Sequence, residues 1–319
     1  MPVFHRLFCI CLLAVIVGSG GCLHRLKTRP LTPSIVQSRE LCREANTAME
    51  LGHWSEAEKK MERAVKLNPN ETDIRRHYAE VLWQLGKHQD SLRQLEEASK
   101  ISQKEGSEDE TLVLSIAEKL LVLGQIDGAS RFAKRAIDIA PGRHKGWVLH
   151  GKMELSLGDN QMLQGNEEQA HKHFQKAAAD YYRALALSAP ESNETVEILS
   201  ELAVLQTKMK QPQRALAIWQ TLERQYSPNP QPIFVTRGKA ETLLEMGQLD
   251  EAVQTYRSAI ETTPDNVDLY IELAQVQLKY GRANDIRYTM DRIHSLAPNH
   301  PALAPLAEQV KFVQASRRN

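Results

Sequence analysis

The chain has 319 residues, room for two ordinary domains or one long repeat array, and its aromatic fraction of 6% is low for large compact cores. Lysine plus arginine equals aspartate plus glutamate at 40 each, so no net field exists to gather nucleic acid or an anionic bilayer surface. An array is therefore expected, and nucleic acid is not among its expected partners.

The chain opens with Arg6 and the amino terminus as a weakly basic region. Leu7 to Val17 is then almost continuously apolar, yet shorter than the ~20 residues a spanning helix needs. Gly18, Ser19, Gly20 and Gly21 follow, and then Cys22. This order resembles a bacterial lipoprotein signal peptide, in which small residues admit a peptidase to the bond before a cysteine that carries lipid. Ser19 departs from the aliphatic residue usual at that place. The resemblance implies that residues 1–21 are a signal peptide and that Cys22 is lipidated. The rest is then expected to be exported and lipid-anchored to a bacterial envelope membrane, facing the periplasm. The alternative is an uncleaved anchor in which Cys22 is an ordinary small residue. Cys9 and Cys11 would leave with the signal, so Cys22 and Cys42 would remain and no disulfide framework is expected. Residues 22–37, "CLHRLKTRPLTPSIVQ", lack helical periodicity and read as a flexible tether reaching about 50 Å.

One phrase then recurs: "LGHWSEAEKKMERAVKLNP" from residue 51, "LGQIDGASRFAKRAIDIAP" from 123 and "MGQLDEAVQTYRSAIETTP" from 246. Gly52 and Gly86, Gly124 and Gly158, and Gly247 and Gly281 are each 34 residues apart. With this Gly fifteenth in its unit, the eighth positions are Ala45, Ala79, Ala117, Gly151, Ala203, Ala240 and Ala274, all small. A side chain larger than methyl there would push two crossing helices apart. Small residues recur at Ala57, Ser91, Ala129, Ala170, Ala215 and Ala252, and two turns later at Ala64, Ala98, Ala136, Ala177 and Ala259. Pro69, Pro141, Pro264 and Pro298 close helices, because proline cannot continue the hydrogen-bond ladder.

The period and the small positions resemble the tetratricopeptide repeat family, and the resemblance covers residues 38–300. It implies an all-α, right-handed superhelix (α-solenoid) of about seven helix pairs, with residues 301–319 as a C-terminal capping helix and tail. Several departures shape the expectation. Gly106 to Asp109 lengthens one connection. The fourth unit carries about fourteen extra residues, split between its turn at Gly158 and one added heptad in its second helix. In the fifth, Lys210 replaces the turn Gly and Leu222 a small residue, and the seventh has Ile286 and Ile293 at small positions. Leu303, Leu306, Val310 and Val313 then mark the cap, with Pro305 in its first turn.

No phosphate-cradling loop, paired-cysteine metal spacing or nucleophile elbow is present, so no cofactor, no metal and no catalytic residues are expected. In "EEQAHKHF", Glu168 and Glu167 lie within one turn of His171, but no second copy is available for a bundle metal site, and a solvated polar face is expected. The "NET" stretches at Asn70 and Asn193 read as helix starts.

In the tetratricopeptide family the concave groove is lined by positions 2, 5, 9 and 12 of each first helix. Carried over, these give Asn46, Arg76, Glu80, Trp83, Glu118, Lys145, Lys152, Arg237 and Glu241 as the candidate partner-binding residues. Trp83 has a second reading, as packing between pairs. The carboxylate clamp of chaperone-binding repeats is missing, since its places hold Cys42, Asn46, His77, Thr111 and Ser115. The expected function is a noncatalytic, lipid-anchored scaffold that takes a protein or peptide in its groove, in assembly of an envelope complex. The alternative is the recognition subunit of a separately encoded envelope transferase or other enzyme.

Overall fold

The structure is a computed structural model that describes residues 32–316 apart from 228, 281 and 282. Cys22, the signal segment, most of the tether and the turn residue Gly281 lie outside the described residues, as does the side chain of Val313.

Fifteen α-helices and no strand occur among the described residues. They form seven antiparallel pairs: α1 (Pro33–Glu50) with α2 (Trp54–Leu67), α3 (Thr72–Gln84) with α4 (His88–Glu105), and α5 (Glu110–Val122) with α6 (Ile126–Ile139). Then come α7 (His144–Leu163) with α8 (Glu167–Leu187), and α9 (Asn193–Lys208) with α10 (Pro212–Tyr226). The last pairs are α11 (Ile233–Glu245) with α12 (Leu249–Thr262), and α13 (Val267–Lys279) with α14 (Ala283–Leu296), before α15 (Leu303–Ser316). Each second helix also packs on the next first helix, so the pairs stack into an α-solenoid, as expected.

The recurring phrase is explained by its turn. Gly52, Gly86, Gly124 and Gly247 have φ between 71° and 75°, the left-handed conformation that a Cβ disfavours. Here the chain reverses so that the residue after the glycine donates its backbone N–H five residues back, as from His53 to Ala48 at 2.8 Å and from Gln248 to Leu243 at 2.9 Å. Lys210 takes the same place with φ 58°, and Gln211 makes the equivalent bond to Gln206 at 2.9 Å. Helices α2, α6, α12 and α14 each stop two residues before Pro69, Pro141, Pro264 and Pro298, because the residue preceding a proline is driven out of the helical region.

The small positions are the crossings. Ala45, Ala79, Ala117, Ala203, Ala240 and Ala274 are all 0% exposed, and so are Ala57, Ser91, Ala129, Ala170, Ala215 and Ala252. Ser91 Oγ donates to the carbonyl of Ala79 at 2.6 Å, which places the two backbones of one pair in direct apposition. In the seventh pair Ile286 and Ile293 are fully buried, and α15 covers them with Leu306. Core clusters draw on a pair and on the first helix of the next, as where Ala136 of α6 and Met153 of α7 share one core. The apolar interior therefore runs on from pair to pair.

Two boundaries differ from expectation. Residues 33–37, read as tether, are the start of α1: Pro33 occupies the first helical position and Thr32 Oγ1 accepts from the Ile35 N–H at 3.4 Å. Gly158, read as the fourth turn, lies inside α7, and the turn falls at Gly165 with φ 78°. The fourth pair has helices of 20 and 21 residues where the third has 13 and 14, so each helix gains one heptad and the turn gains nothing.

Candidate functional site

The first helices of successive pairs present their candidate residues along one row, and much of that row is tied to itself. Arg76 of α3 donates to Asp109 at 3.1 Å and to Thr111 Oγ1 at 2.8 Å, spanning to the start of α5. Glu80 accepts from Lys119 of α5 at 3.1 Å. Lys152 of α7 reaches Glu197 of α9 at 2.6 Å, and Arg237 of α11 is held against Glu272 of α13. Upstream, Cys42 Sγ sits 3.5 Å from His77 Nδ1. Burial, with Asp73 and Glu71 nearby, pushes the Cys42 thiol above its ordinary range, so it is not poised as a nucleophile.

Trp83 belongs to both readings. It is half-buried, with the Lys119 ammonium 4.4 Å above its ring and the His88 ring 4.4 Å away. Asn46, Glu118, Lys145 and Glu241 make no hydrogen bond or ion pair among the described residues, and the last three are exposed. The structure thus divides the nine candidates. Four are clamps between pairs, Trp83 is packed, and four are available to a partner.

One of these four, Glu241, lines a cleft of about 630 Å³ between α11 and α13. Leu244, Ile271 and Val276 give it apolar walls, and Glu241 and Asp268 its rim. Its floor is set by Glu272, which accepts from Arg237 and from the Tyr256 hydroxyl at 3.2 Å. Burial, with Glu272 beside it, holds the Tyr256 phenol above its ordinary range, so it remains a donor. Glu245, one turn from Glu241, is also pushed up by burial and by its neighbour's charge. Glu272 and Asp268 were missed by carrying over groove positions from α11 alone; the spacing of these two acids, one helical turn apart on α13, was the available signal.

The "EEQAHKHF" stretch divides otherwise. His171 is exposed and Glu168 pairs with Lys172 at 2.7 Å. His173 instead turns inward to Glu154 at 2.7 Å, while His150 meets Asp180 at 2.6 Å. His150, Glu154 and Asp180 are buried, giving the lengthened pair a polar interior that the sequence reading missed. Among the described residues no group of three or more His, Cys, Asp or Glu is arranged to hold a metal ion, and no helix is long and apolar enough to cross a membrane.

Comparison with known proteins agrees with this architecture. The family described as "Tetratricopeptide repeat" matches residues 42–107, and that described as "TPR repeat" matches residues 240–281. Among solved structures, a tetratricopeptide repeat protein from Parabacteroides merdae superimposes with a TM-score of 0.61 at 15% identity, covering 86% of this chain and 99% of that one. The C-terminal part of a TPR repeat-containing protein from Cytophaga hutchinsonii gives a TM-score of 0.57 at 15% identity, covering 83% of this chain and 98% of that one. No curated protein matches the chain. Repeats of this kind indicate a protein–protein interaction scaffold. Two stretches of the chain, 42–107 and 240–281, thus match tetratricopeptide-repeat models, and the pairwise stack that joins them has the fold of the solved repeat structures.

Proposed function

We propose that this protein is a noncatalytic scaffold, lipid-anchored through Cys22 to a bacterial envelope membrane and facing the periplasm, which holds a protein or peptide partner along its first-helix row in assembly of an envelope complex. The observation that carries the binding reading is the cleft between α11 and α13, whose polar floor is already assembled by Arg237, Glu272 and Tyr256 while Glu241 at its rim has no partner. A pre-set floor lets a ligand bind without first ordering those side chains. Apolar walls beside charged rims suit an extended or helical segment that anchors by apolar contact and is selected by charge. The short apolar segment, the small residues and Cys22 support the anchor.

The test has two arms in cells. Changing Cys22 to Ser should remove the mass of the lipid and release the protein from the membrane fraction; unchanged mass and unchanged fractionation would contradict the anchor. Affinity capture of the full chain from solubilised envelope, read by mass spectrometry, should recover a stoichiometric protein partner, and recovery of the chain alone would contradict the scaffold.

A further inference from the structure

We propose that the tip of the lengthened fourth pair joins the chain to a second copy of itself about a two-fold axis. One extra heptad in each helix adds about 10 Å of rise. Lys208, the last residue of α9, pairs with Asp159 at 2.7 Å, and α7 continues beyond that level to Leu163. The turn that follows therefore projects past its neighbour. Leu163 at this tip is 86% exposed, and Met162 beside it is 39% exposed.

Next to this apolar knob lies a socket. A cleft of about 460 Å³ separates the start of α8 from the α9–α10 turn, floored by Met162, Phe174 and Met209. Its two walls carry opposite free charges. Glu167 opens α8 on one side and Lys210 stands in the turn on the other; neither has an ion pair, whereas Glu168 is taken by Lys172 and Lys208 by Asp159. A knob beside a socket, with an unpaired anion on one wall and an unpaired cation on the other, is self-complementary. A two-fold axis sets Leu163 of each copy into the socket of the other and brings each Glu167 to the other copy's Lys210.

The backbone gives independent support. Lys210 holds φ 58° at a place where Gly52, Gly86, Gly124, Gly165 and Gly247 supply the conformation freely elsewhere in the array. An exposed lysine kept in a disfavoured conformation points to a use for its charge. A patch of this size predicts a reversible dimer that dissociates in the micromolar range or above.

The experiment uses the full chain. Sedimentation equilibrium in density-matched detergent, from about 1 to about 500 µM, should show a concentration-dependent dimer. Glu167→Lys alone and Lys210→Glu alone should each weaken self-association tenfold or more, because each sets like charges across the axis. Two differently tagged chains, one carrying each substitution, should capture one another as well as two wild-type chains do, since both cross pairs are then again opposite in sign. Leu163→Asp should abolish the dimer. Lys210→Gly separates interface from fold: it should raise the unfolding midpoint while weakening the dimer. A monomer across the whole range, a dimer that these substitutions leave unmoved, or a failure of the mixed pair to recover would overturn the proposal.

Discussion

Gly151, Gly158 and Gly238 each give up a side chain to a ring on the facing helix. A Cβ at Gly158 would lie 2.4 Å from Phe174, one at Gly151 2.8 Å from Tyr181, and one at Gly238 2.2 Å from Trp219. These rings are buried and cannot swing clear, so Gly158→Ala should cost about 1–3 kcal/mol, read as a lowered thermal midpoint. The same change at Gly165 meets no atom within 4 Å and should cost only the left-handed backbone, about 1–2 kcal/mol. The 34-residue spacing made Gly158 look like a turn glycine. A glycine kept for close approach and one kept for its φ are the same letter, and only the facing ring tells them apart. Glu245 supplies a pH test. Its carboxyl is pushed up in the fold by burial and by Glu241, so the fold disfavours its ionised form, and this stabilising preference for the protonated state is lost as pH rises through the raised value. Glu245→Gln should therefore raise the unfolding midpoint at neutral pH, and the difference from the parent should vanish below about pH 4. An unchanged midpoint at pH 7 would contradict that environment. At Trp83, packed by Lys119 and His88, truncation to Ala should lower stability by about 2 kcal/mol, between an exposed and a fully buried aromatic.

Helices and their ends were the most legible level. Pair number, crossing residues and proline stops all follow from local rules that act within one unit: small residues where backbones meet, a left-handed turn, and proline exclusion. Changing Ala117 to Leu should overpack the crossing of α5 and α6 by about 1–3 kcal/mol, and a melting curve indistinguishable from the parent would show that it is not a crossing. What the sequence hid was competition between rules. Pro33 and Thr32 read as a tether because proline breaks helices, yet proline at the first helical position after a capping threonine starts one. The fourth unit's extra residues were assigned partly to a turn, because a heptad added to both helices of a pair leaves each helix's own pattern intact. The partner helix decides, as Gly158 facing Phe174 shows.

Across the whole molecule, charge is used mainly to join one repeat to the next. Arg76, Glu80, Lys152 and Arg237 were chosen by position as partner contacts, and all four are engaged with the following first helix. Position predicts which face a residue lies on but not whether a neighbour one unit away already holds it, since that depends on a pairing some 33 to 45 residues distant. Glu118, Lys145 and Glu241 remain as the exposed candidates, with Glu241 at the rim of the α11–α13 cleft. The most direct test of the scaffold is therefore a single comparison: affinity capture by the full chain and by its Glu241→Lys variant, with thermal unfolding measured on both. The predicted result is an unfolding midpoint that is not lowered and a tenfold or greater loss of partner. Full recovery of the partner by a normally folded variant would contradict binding at this cleft.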